Sequence, residues 1–519
     1  MPRNAYLLSI DIGTSSSKTG LWRGDGVLMA EASASYPLHQ PQLTWAEMDA
    51  EDWWHATIHT IQAVLQKSHV EPGDIAGVGV DGLGWALVPV DQQGNPLYRA
   101  LIWLDRRAEA EAAALRAMPE AEALIHLVAN PLDAAYITPK LLWLKTHASD
   151  VFQSTYRFLT SSGFIVQRLT RAFTCDYTQA YGYHCFDIRR ERWDEAAAQA
   201  LGLPLEKLPR LYSSCDRVGG VTPDAARVTG LMSGTPVIAG GLDAAVGAFG
   251  TGIAQVGQTA DQGGTAFGLS LCVDRVIVEP RLIFSHHVVP GTYIFQGGTV
   301  GGGMMRWFRD TLGQWEVSAA TLLKTSPYAL MSQQASESPP GANGLIFLPY
   351  MAGERSPLWN SEARGVLFGL SYATTRADIL RAVMEGCAYA VYHNVRVMEE
   401  NDVGVREWIG FGGASNSAVW CQIKADITNR PFVIARRADG GTGDNTLGMA
   451  VMIGKAMGLY DDLTRQIDSF LPERKVYEPS AERHNLYQAL FEIYLELSDK
   501  LRPNFAQMAT VYKKVRTTS

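Results

Sequence analysis

Cysteine is scarce in this 519-residue chain, and its six cysteines, at positions 175, 185, 215, 272, 387 and 421, form no C-x-x-C pair. The spacing predicts neither a zinc site nor a disulfide framework, so a reducing compartment is expected. An excess of basic residues is also absent, since 45 lysines and arginines stand against 53 aspartates and glutamates. The net charge of −8 argues against a general surface for nucleic acid or for anionic membranes.

Long apolar runs are missing as well. The stretch before Asp11 is too short for the apolar core of a signal peptide. The longest mild stretch, 236–256, contains Asp243 and many glycines, which argues against a membrane span. We therefore expect a cytoplasmic protein without a membrane partner.

The stretch 7–18, LLSIDIGTSSSK, is the pattern around which the chain is organised. An apolar run of strand length ends at Asp11, and Gly13 allows a tight turn into hydroxyl-bearing residues. The N–H and hydroxyl groups of such a turn can bind an anion, and a strand-end carboxylate suits Mg²⁺. For a single copy, a serine-rich hairpin loop is the better explanation. A second copy, TADQGGTAFGLSL at 259–271, favours a pair of phosphate-binding turns.

The chain is longer than one hydrophobic core can serve, so two domains are expected. Each half shows strands first and then alternating helices and strands, which predicts α/β layers in both halves. We place the domains at 1–250 and 251–470, followed by a helical extension at 471–519. The expected helices include 49–67, capped by Asp49, and 377–400. Each half is expected to hold a mixed five-stranded sheet, with glycine turns meeting at a cleft between the halves.

Two further carboxylates follow strand-like segments. Asp243 comes after the strand and glycine turn of TPVIAGGLD at 235–243, where an aspartate is most often a helix cap. Asp105, in LIWLDRR at 101–107, has the same simple explanation beside a solvated charge pair. Pattern alone therefore gives both residues a structural role first.

Several blocks together resemble the FGGY family of carbohydrate kinases, a branch of the actin/hexokinase/Hsp70 ATPase superfamily. The most specific block is 365–385, GVLFGLSYATTRADILRAVME, which fits the C-terminal signature of the family. LPYMAGERSP at 348–357, PKLLWL at 139–144 and GFGGASN at 410–416 match further blocks. The resemblance covers nearly the whole chain. It implies an α/β fold of two RNase H-like domains flanking a central cleft, and phosphorylation of a sugar hydroxyl by ATP with Mg²⁺.

The resemblance also implies roles for single residues. Asp11 is expected on Mg²⁺, and Asp243 is expected to be the catalytic base that accepts the proton of the sugar hydroxyl. The helix N-terminus at Asp243 should keep that carboxylate ionised. Asp105 and its neighbour Arg106 resemble residues that contact the sugar. The expected nucleotide contacts are Gly13, Thr14, Ser15 and Lys18 in the first phosphate loop, Gly263, Gly264 and Thr265 in the second, and Gly412, Gly413, Ala414 and Asn416 in the adenosine loop.

The identity of the sugar rests on fewer residues. The pattern GG-x-D-x-A-x-GA at 240–248 is similar to the xylulokinase branch, which points to D-xylulose. Where xylulokinases carry a Met-His pair this chain has Gly84-Trp85, and Ala244 follows the base where relatives often have Asn or Gln. Both departures remove polar sugar contacts. Trp85 can instead stack on a sugar face, although an aromatic residue on a strand is more often part of a core.

Alternatives to a xylulokinase stay open at this point. One is a kinase for glycerol, ribulose, erythritol or gluconate. Another, of a different class, is an actin-like or Hsp70-like nucleotide switch that binds protein partners, which would release ADP slowly and without regard to added sugar. The partners expected for the enzyme are its sugar and ATP, and a homodimer is one assembly open to it.

Overall fold

The structure, a computed structural model, describes residues 5–42, 44–264, 266–301 and 303–518. The chain divides into two compact units. Unit 1 consists of Met1–Gln255, Cys272–Ile294 and Gly443–Pro472, and unit 2 consists of Val256–Leu271, Phe295–Thr442 and Glu473–Ser519. Each unit consists of three separate segments, because the chain returns to unit 1 twice, whereas the sequence predicts continuous domains at 1–250 and 251–470.

Unit 1 contains strands and helices in alternation after an opening run of strands. The strands are β1 (Tyr6–Ile12), β2 (Ser16–Arg23), β3 (Leu28–Ser35), β4 (Glu47–Met48), β5 (Ile75–Gly82), β6 (Val88–Val90), β7 (Ala100–Leu101), β8 (Arg157–Leu159), β9 (Thr174–Asp176), β10 (Phe186–Asp187), β11 (Arg192–Trp193), β12 (Arg210–Tyr212), β13 (Arg217–Gly220), β14 (Pro236–Ile238) and β15 (Gly241–Leu242). The helices are α1 (Ala50–Ser68), α2 (Glu109–Arg116), α3 (Ala121–Val128), α4 (Ile137–His147), α5 (Ser149–Ser154), α6 (Ser161–Thr170), α7 (Tyr177–Ala180), α8 (Glu195–Ala200), α9 (Pro223–Thr229) and α10 (Asp243–Gly250).

Unit 2 begins with another run of strands. Its strands are β16 (Gln258–Gly263), β17 (Ala266–Val273), β19 (Tyr293–Val300), β20 (Ile346–Leu348), β21 (Val366–Phe368), β22 (Glu407–Phe411), β23 (Phe432–Arg436) and β24 (Glu473–Tyr477). The strand between β17 and β19 in the chain, β18 (Ile283–His286), belongs to unit 1. Its helices are α11 (Gly303–Thr311), α12 (Gln314–Leu323), α13 (Pro327–Glu337), α14 (Arg376–Glu399) and α15 (Ala418–Thr428). Helices α16 (Asn445–Ala456) and α17 (Leu463–Phe470) belong to unit 1, and α18 (Ala481–Thr518) ends unit 2.

The main sheet of unit 1 has the strand order β13-β14-β5-β1-β2-β3, with β15 also beside β5. β1 and β2 are antiparallel, whereas β1 and β5 are parallel with Asp11 opposite Asp81. Seven strands therefore replace the five expected. Helix α16 packs directly on β5, since a Cβ at Gly77 would lie 2.8 Å from Ile453 and one at Gly79 would lie 2.4 Å from Met449. This close approach explains both the glycine-rich strand and the return of the chain to unit 1.

The sheet of unit 2 repeats this order. Its strands run β19-β17-β16-β22-β23-β24, where β16 is antiparallel to β17 and parallel to β22, and β24 is antiparallel to β23. The expected shared topology is thus observed, with larger sheets than predicted. The C-terminal stretch is not an appendage, because β24 closes the sheet edge and α18 packs on the unit, with the Tyr487 hydroxyl donating to Glu385 at 2.7 Å.

No described helix is both long and apolar enough to cross a membrane.

Candidate active site

Three carboxylates come together at adjacent strand ends of unit 1. Asp11 is the penultimate residue of β1 and lies opposite Asp81 on β5, and β15 pairs with β5 so that Gly241 lies opposite Asp81. Asp243 follows β15 directly as the first residue of α10. Parallel pairing brings the carboxyl ends of these strands to one edge, which is where open α/β sheets bind ligands.

Burial raises the pKa of each carboxyl in this cluster. Desolvation first, and then the charge of Asp11, raise the pKa of Asp81 well above its usual range and that of Asp243 to about 7. The pKa of Asp11 is raised to about 6, mainly by burial. With a pKa of about 7, Asp243 is not fully ionised at neutral pH, contrary to the prediction from the helix N-terminus, because burial and the charge of Asp11 outweigh the helix dipole.

Asp243 does not cap its helix in the usual way. A cap precedes the first helical residue and binds an N–H two or three positions on, whereas Asp243 lies inside α10 and its Oδ1 accepts from the adjacent Ala244 N–H at 2.7 Å. The cap explanation offered by the sequence therefore does not account for the position. The side chain stays partly accessible and available to a ligand.

The cluster fits a divalent cation. Asn445 donates to Asp81 Oδ1 at 3.0 Å and to the carbonyl of Asp243 at 3.1 Å, while Asp81 Oδ2 is buried and accepts no hydrogen bond within the described chain. Carboxylate oxygens suit Mg²⁺, which proteins commonly hold with one or two carboxylates plus water and substrate phosphates. No group of three acidic, histidine or cysteine side chains poised to bind a metal occurs among the described residues. Asp11 and Asp81, opposite each other in the parallel register of β1 and β5, are instead the pair that could hold the ion together with water and phosphate oxygens.

The turn between β1 and β2 is fixed from outside. The N–H of Gly13 donates to Ser16 at 3.0 Å, the Tyr36 hydroxyl donates to the Gly13 carbonyl at 2.6 Å, and the Trp103 indole donates to the Thr14 hydroxyl at 3.1 Å. These contacts leave Ser15 exposed at the tip. A rigid turn of this kind can present its N–H groups to an anion.

Lys18 is already paired. Its ammonium contacts Asp444 and Glu31, both at 2.7 Å, and these partners raise its pKa despite burial. Asp444 in turn caps α16 through the N–H of Leu447. Lys18 therefore ties the first turn to α16 in the structure, and a direct phosphate contact stays a prediction.

An aromatic wall, defined here as Trp85, Tyr136 and Tyr181, lies beside the cluster. The ring centroids of Trp85 and Tyr136 are 4.3 Å apart, and Tyr181 packs edge-on to both at 6.2 and 6.1 Å. Burial, and then the charge of Asp243, raise the pKa of Tyr181, so this tyrosine lies within electrostatic reach of the cluster. Gly84 precedes the wall and is half-buried.

Asp105 and Arg106 are each engaged within the protein. Asp105 has no exposed surface, pairs with Arg107 at 2.8 Å and accepts the N–H of Ala46 at 2.6 Å. Arg106 binds Asp133 through both of its terminal nitrogens. A sugar contact from either residue stays a prediction, and for Asp105 it requires this buried network to open.

Unit 2 holds a cavity of about 880 Å³ that joins two of the predicted loops. Gly263 and Gly264 line it together with Gly413, Ala414 and Asn416, while α13, α14 and α15 supply most of the remaining wall. The volume lies in the range of sites for small molecules and cofactors. Thr265 lies outside the described residues.

Close backbone packing explains the glycines of this cavity. A Cβ at Gly263 would lie 2.7 Å from the carbonyl of Phe411, and Gly412 has a φ of +80° with its Cβ position 2.9 Å from the carbonyl of Gly263. Residues with a Cβ rarely adopt that conformation. Gly412 thus lets the loop turn close against the backbone of Gly263.

Sequence reasoning missed several residues of the site. Asp81 was visible as a strand-end carboxylate in VGVDG, but only the parallel register with β1 shows that it faces Asp11. Tyr36, Tyr136 and Asn445 carry no local signal, because each reaches the site from a distant part of the chain.

The fold and the carboxylate cluster define a two-domain phosphotransferase of the actin/hexokinase type. The sequence profiles of the N-terminal and C-terminal domains of the FGGY family of carbohydrate kinases match residues 6–250 and 276–457. The chain belongs to this family and is an ATP-dependent carbohydrate kinase.

Individual relatives agree with this placement. The xylulose kinase of Bacillus subtilis (strain 168) is 30% identical over 493 residues, 94% of this chain and 96% of that protein. The crystal structure of ligand-bound xylulose kinase from Lactobacillus acidophilus matches with a TM-score of 0.87 at 25% identity, over 97% of this chain and 100% of the other. A gluconate kinase structure from the same organism matches with the same TM-score and identity, over 97% and 99%.

Proposed function

We propose that this kinase phosphorylates a neutral ketopentose, with D-xylulose as the first candidate. The proposal rests on the lysine and arginine side chains near the carboxylate cluster and the aromatic wall, and on whether they are already paired. Each cation considered there already has partners within the protein.

Lys18 pairs with Asp444 and Glu31, and Arg106 pairs with Asp133 and Glu109.

Arg107 is fully buried against Asp105 and Glu47, and Lys140 donates to three carbonyl oxygens. A sugar acid would bring a carboxylate that needs a cation or several N–H donors, since an uncompensated charge is costly to bury. A neutral sugar needs only hydroxyl contacts and an apolar face to stack on, which Trp85 can provide.

In the proposed reaction, Asp243 acts as general base. A hydroxyl oxygen of the sugar attacks the γ-phosphorus of ATP, the bond from that phosphorus to the β–γ bridging oxygen breaks, and ADP leaves. The hydroxyl proton passes to the carboxylate of Asp243, which must be ionised at that moment. The raised pKa makes Asp243 a stronger base than an ordinary aspartate.

The nucleotide contacts follow from the loops. We propose that the unit 2 cavity receives the adenosine against Gly413, Ala414 and Asn416. Gly263 and Gly264, with the turn of Thr14 and Ser15, are proposed to bind phosphate oxygens through backbone N–H groups.

Mg²⁺ is part of the proposal, and Asp11 and Asp81 would hold it. The ion would neutralise charge on the phosphate oxygens. Its charge would also lower the pKa of both carboxyls, so both would be ionised when the ion is bound.

A second candidate is D-gluconate, because a gluconate kinase is among the similar structures. ADP release with D-xylulose, D-ribulose, erythritol, glycerol and D-gluconate separates the candidates. The proposal expects the highest kcat/KM for D-xylulose and the lowest for gluconate. A preference for gluconate would refute the argument from paired cations.

A further inference from the structure

Lys140 is a buried lysine whose partners are all backbone carbonyls. It lies in the first turn of α4 and has no exposed surface. Its ammonium donates to the carbonyls of Trp85 at 2.9 Å, Ile102 at 2.7 Å and Ala135 at 2.6 Å. A protonated lysine has three N–H donors, so these three bonds saturate it.

Each of the three carbonyls belongs to a different segment; two of these segments carry a side chain of the aromatic wall, and the third carries a side chain that contacts the first phosphate turn. Trp85 itself belongs to the aromatic wall, and Ala135 precedes Tyr136, which packs against Trp85. Ile102 precedes Trp103, whose indole fixes the hydroxyl of Thr14 in the first turn. One ammonium thus joins the two halves of the wall to the turn beside Asp11.

The backbone at Trp85 needs such support. Its φ is +55°, a left-handed conformation that a bulky residue adopts only when its surroundings enforce it. The bond from Lys140 to its carbonyl is one such constraint, and the contact with Tyr136 is another. Without the ammonium, the segment is free to relax toward a common conformation.

We propose that Lys140 is a positioning residue that sets sugar affinity by holding Trp85, Tyr136 and Trp103 in register, without touching the sugar. This inference rests on the proposed function, since it assumes that the aromatic wall receives the acceptor. It assigns to Lys140 an effect on the sugar that exceeds its effect on the nucleotide, because two of its three carbonyl partners belong to or adjoin the aromatic wall, whereas only one, through Trp103, adjoins the phosphate turn of Thr14.

The test compares Lys140→Met with Lys145→Met, which removes an exposed lysine of the same helix that donates to the Gly202 carbonyl at 2.9 Å. Steady-state ADP release gives KM for sugar and for ATP separately. We expect Lys140→Met to lose about 10²-fold in kcat/KM for sugar, mostly through KM, because a small misplacement can cost that much. KM for ATP should change much less than KM for sugar, and all parameters of Lys145→Met should stay near wild type.

A purely structural lysine gives a different result. It would lower the melting temperature and the amount of active enzyme, so kcat would fall while KM for sugar stayed constant. That outcome overturns the proposal. The assay sugar is whichever panel member the wild type uses, so failure of D-xylulose refutes the proposed substrate and leaves the test of Lys140 intact.

A measurement on the wild-type protein covers the case in which Lys140→Met does not fold. Saturating sugar should slow amide hydrogen exchange in the peptides covering 84–86, 102–104 and 135–137 together, because one ammonium couples them. Protection confined to one of the three segments overturns the proposal.

Discussion

Replacing Asp243 with Asn tests the proposed base with almost no change of shape. Asn keeps the volume and one acceptor oxygen for the Ala244 N–H but cannot take a proton from the sugar. Loss of a general base lowers rates by about 10²–10⁴-fold, so kcat should fall by that factor at saturating sugar and ATP. ADP release at about pH 8 measures it, where the wild-type carboxyl is ionised.

The same variant makes a prediction about stability. The pKa of Asp243 is about 7 in the fold, against about 3.9 in an unfolded chain. Between these values the folded state holds a proton that the unfolded state releases, so wild-type stability falls as pH rises from about 4 to about 7, by roughly 4 kcal/mol in total. Asparagine does not titrate, so the variant does not lose this stability as the pH rises. Asp243→Asn should therefore have a higher melting temperature than wild type at neutral and higher pH. At about pH 4 the two melting temperatures should be the same.

The control is Asp49→Asn. Asp49 is also a half-buried aspartate at a helix start, but it is a true N-cap that accepts the N–H of Glu51 at 3.0 Å. Asn caps about as well as Asp, so kcat should not change. An Asp243→Asn enzyme that keeps most of its kcat would refute the assignment, and one that melts below wild type at neutral pH would refute the electrostatic account.

Other expectations follow from the same contacts. The wild-type kcat/KM should rise with pH through about 7, as the pKa of Asp243 requires; a flat profile from pH 5.5 to 8 would contradict it. Mg²⁺ should raise the melting temperature more at about pH 7.5 than at about pH 5.5, because protons compete for Asp11 and Asp81, and Asp81→Asn should remove most of this difference. Asp105→Asn breaks a fully buried ion pair, so denaturant unfolding should show a loss of about 3–5 kcal/mol rather than a change in KM alone. Ala329→Trp fills part of the unit 2 cavity and should raise KM for ATP but not for sugar, unlike Thr321→Trp on α12, which does not line it.

Local patterns in the sequence predicted the helices and turns well. The stripe at 49–67 became α1 with Asp49 as its cap. The stripe at 377–400 became α14, whose N-terminus carries a capping box between Thr375 and Asp378. The sheets were larger than predicted because β13, β15 and β24 are short strands without periodicity. The return of 443–472 to unit 1 also escaped prediction, because the glycines of β5 that admit α16 look locally like weak strand residues.

Sequence reasoning singled out Asp11 and Asp243 as candidate site residues but did not single out Asp81 or Lys140. Asp11 and Asp243 stand at strand–turn junctions, which a reader of the chain can recognise. Asp81 contacts Asp11, and Lys140 binds the carbonyls of Trp85 and Ile102, only because distant parts of the chain come together, and no periodicity in the sequence predicts such contacts. The charge state of Asp243 was predicted wrongly for a related reason, because a helix terminus is visible in sequence and desolvation by distant residues is not.

The two copies of the strand–turn pattern differ in the groups that surround their aspartate. In unit 1, Asp11 lies opposite Asp81, and both carboxyls have raised pKa values that a cation could relieve. In unit 2, Asp261 lies opposite Gly410 and pairs with the buried ammonium of Lys424. One sheet therefore keeps repelling carboxyls at its edge, while the other neutralises its carboxylate internally. That difference argues for metal and proton chemistry at the edge of unit 1, and for a binding role, through backbone and cavity, in unit 2.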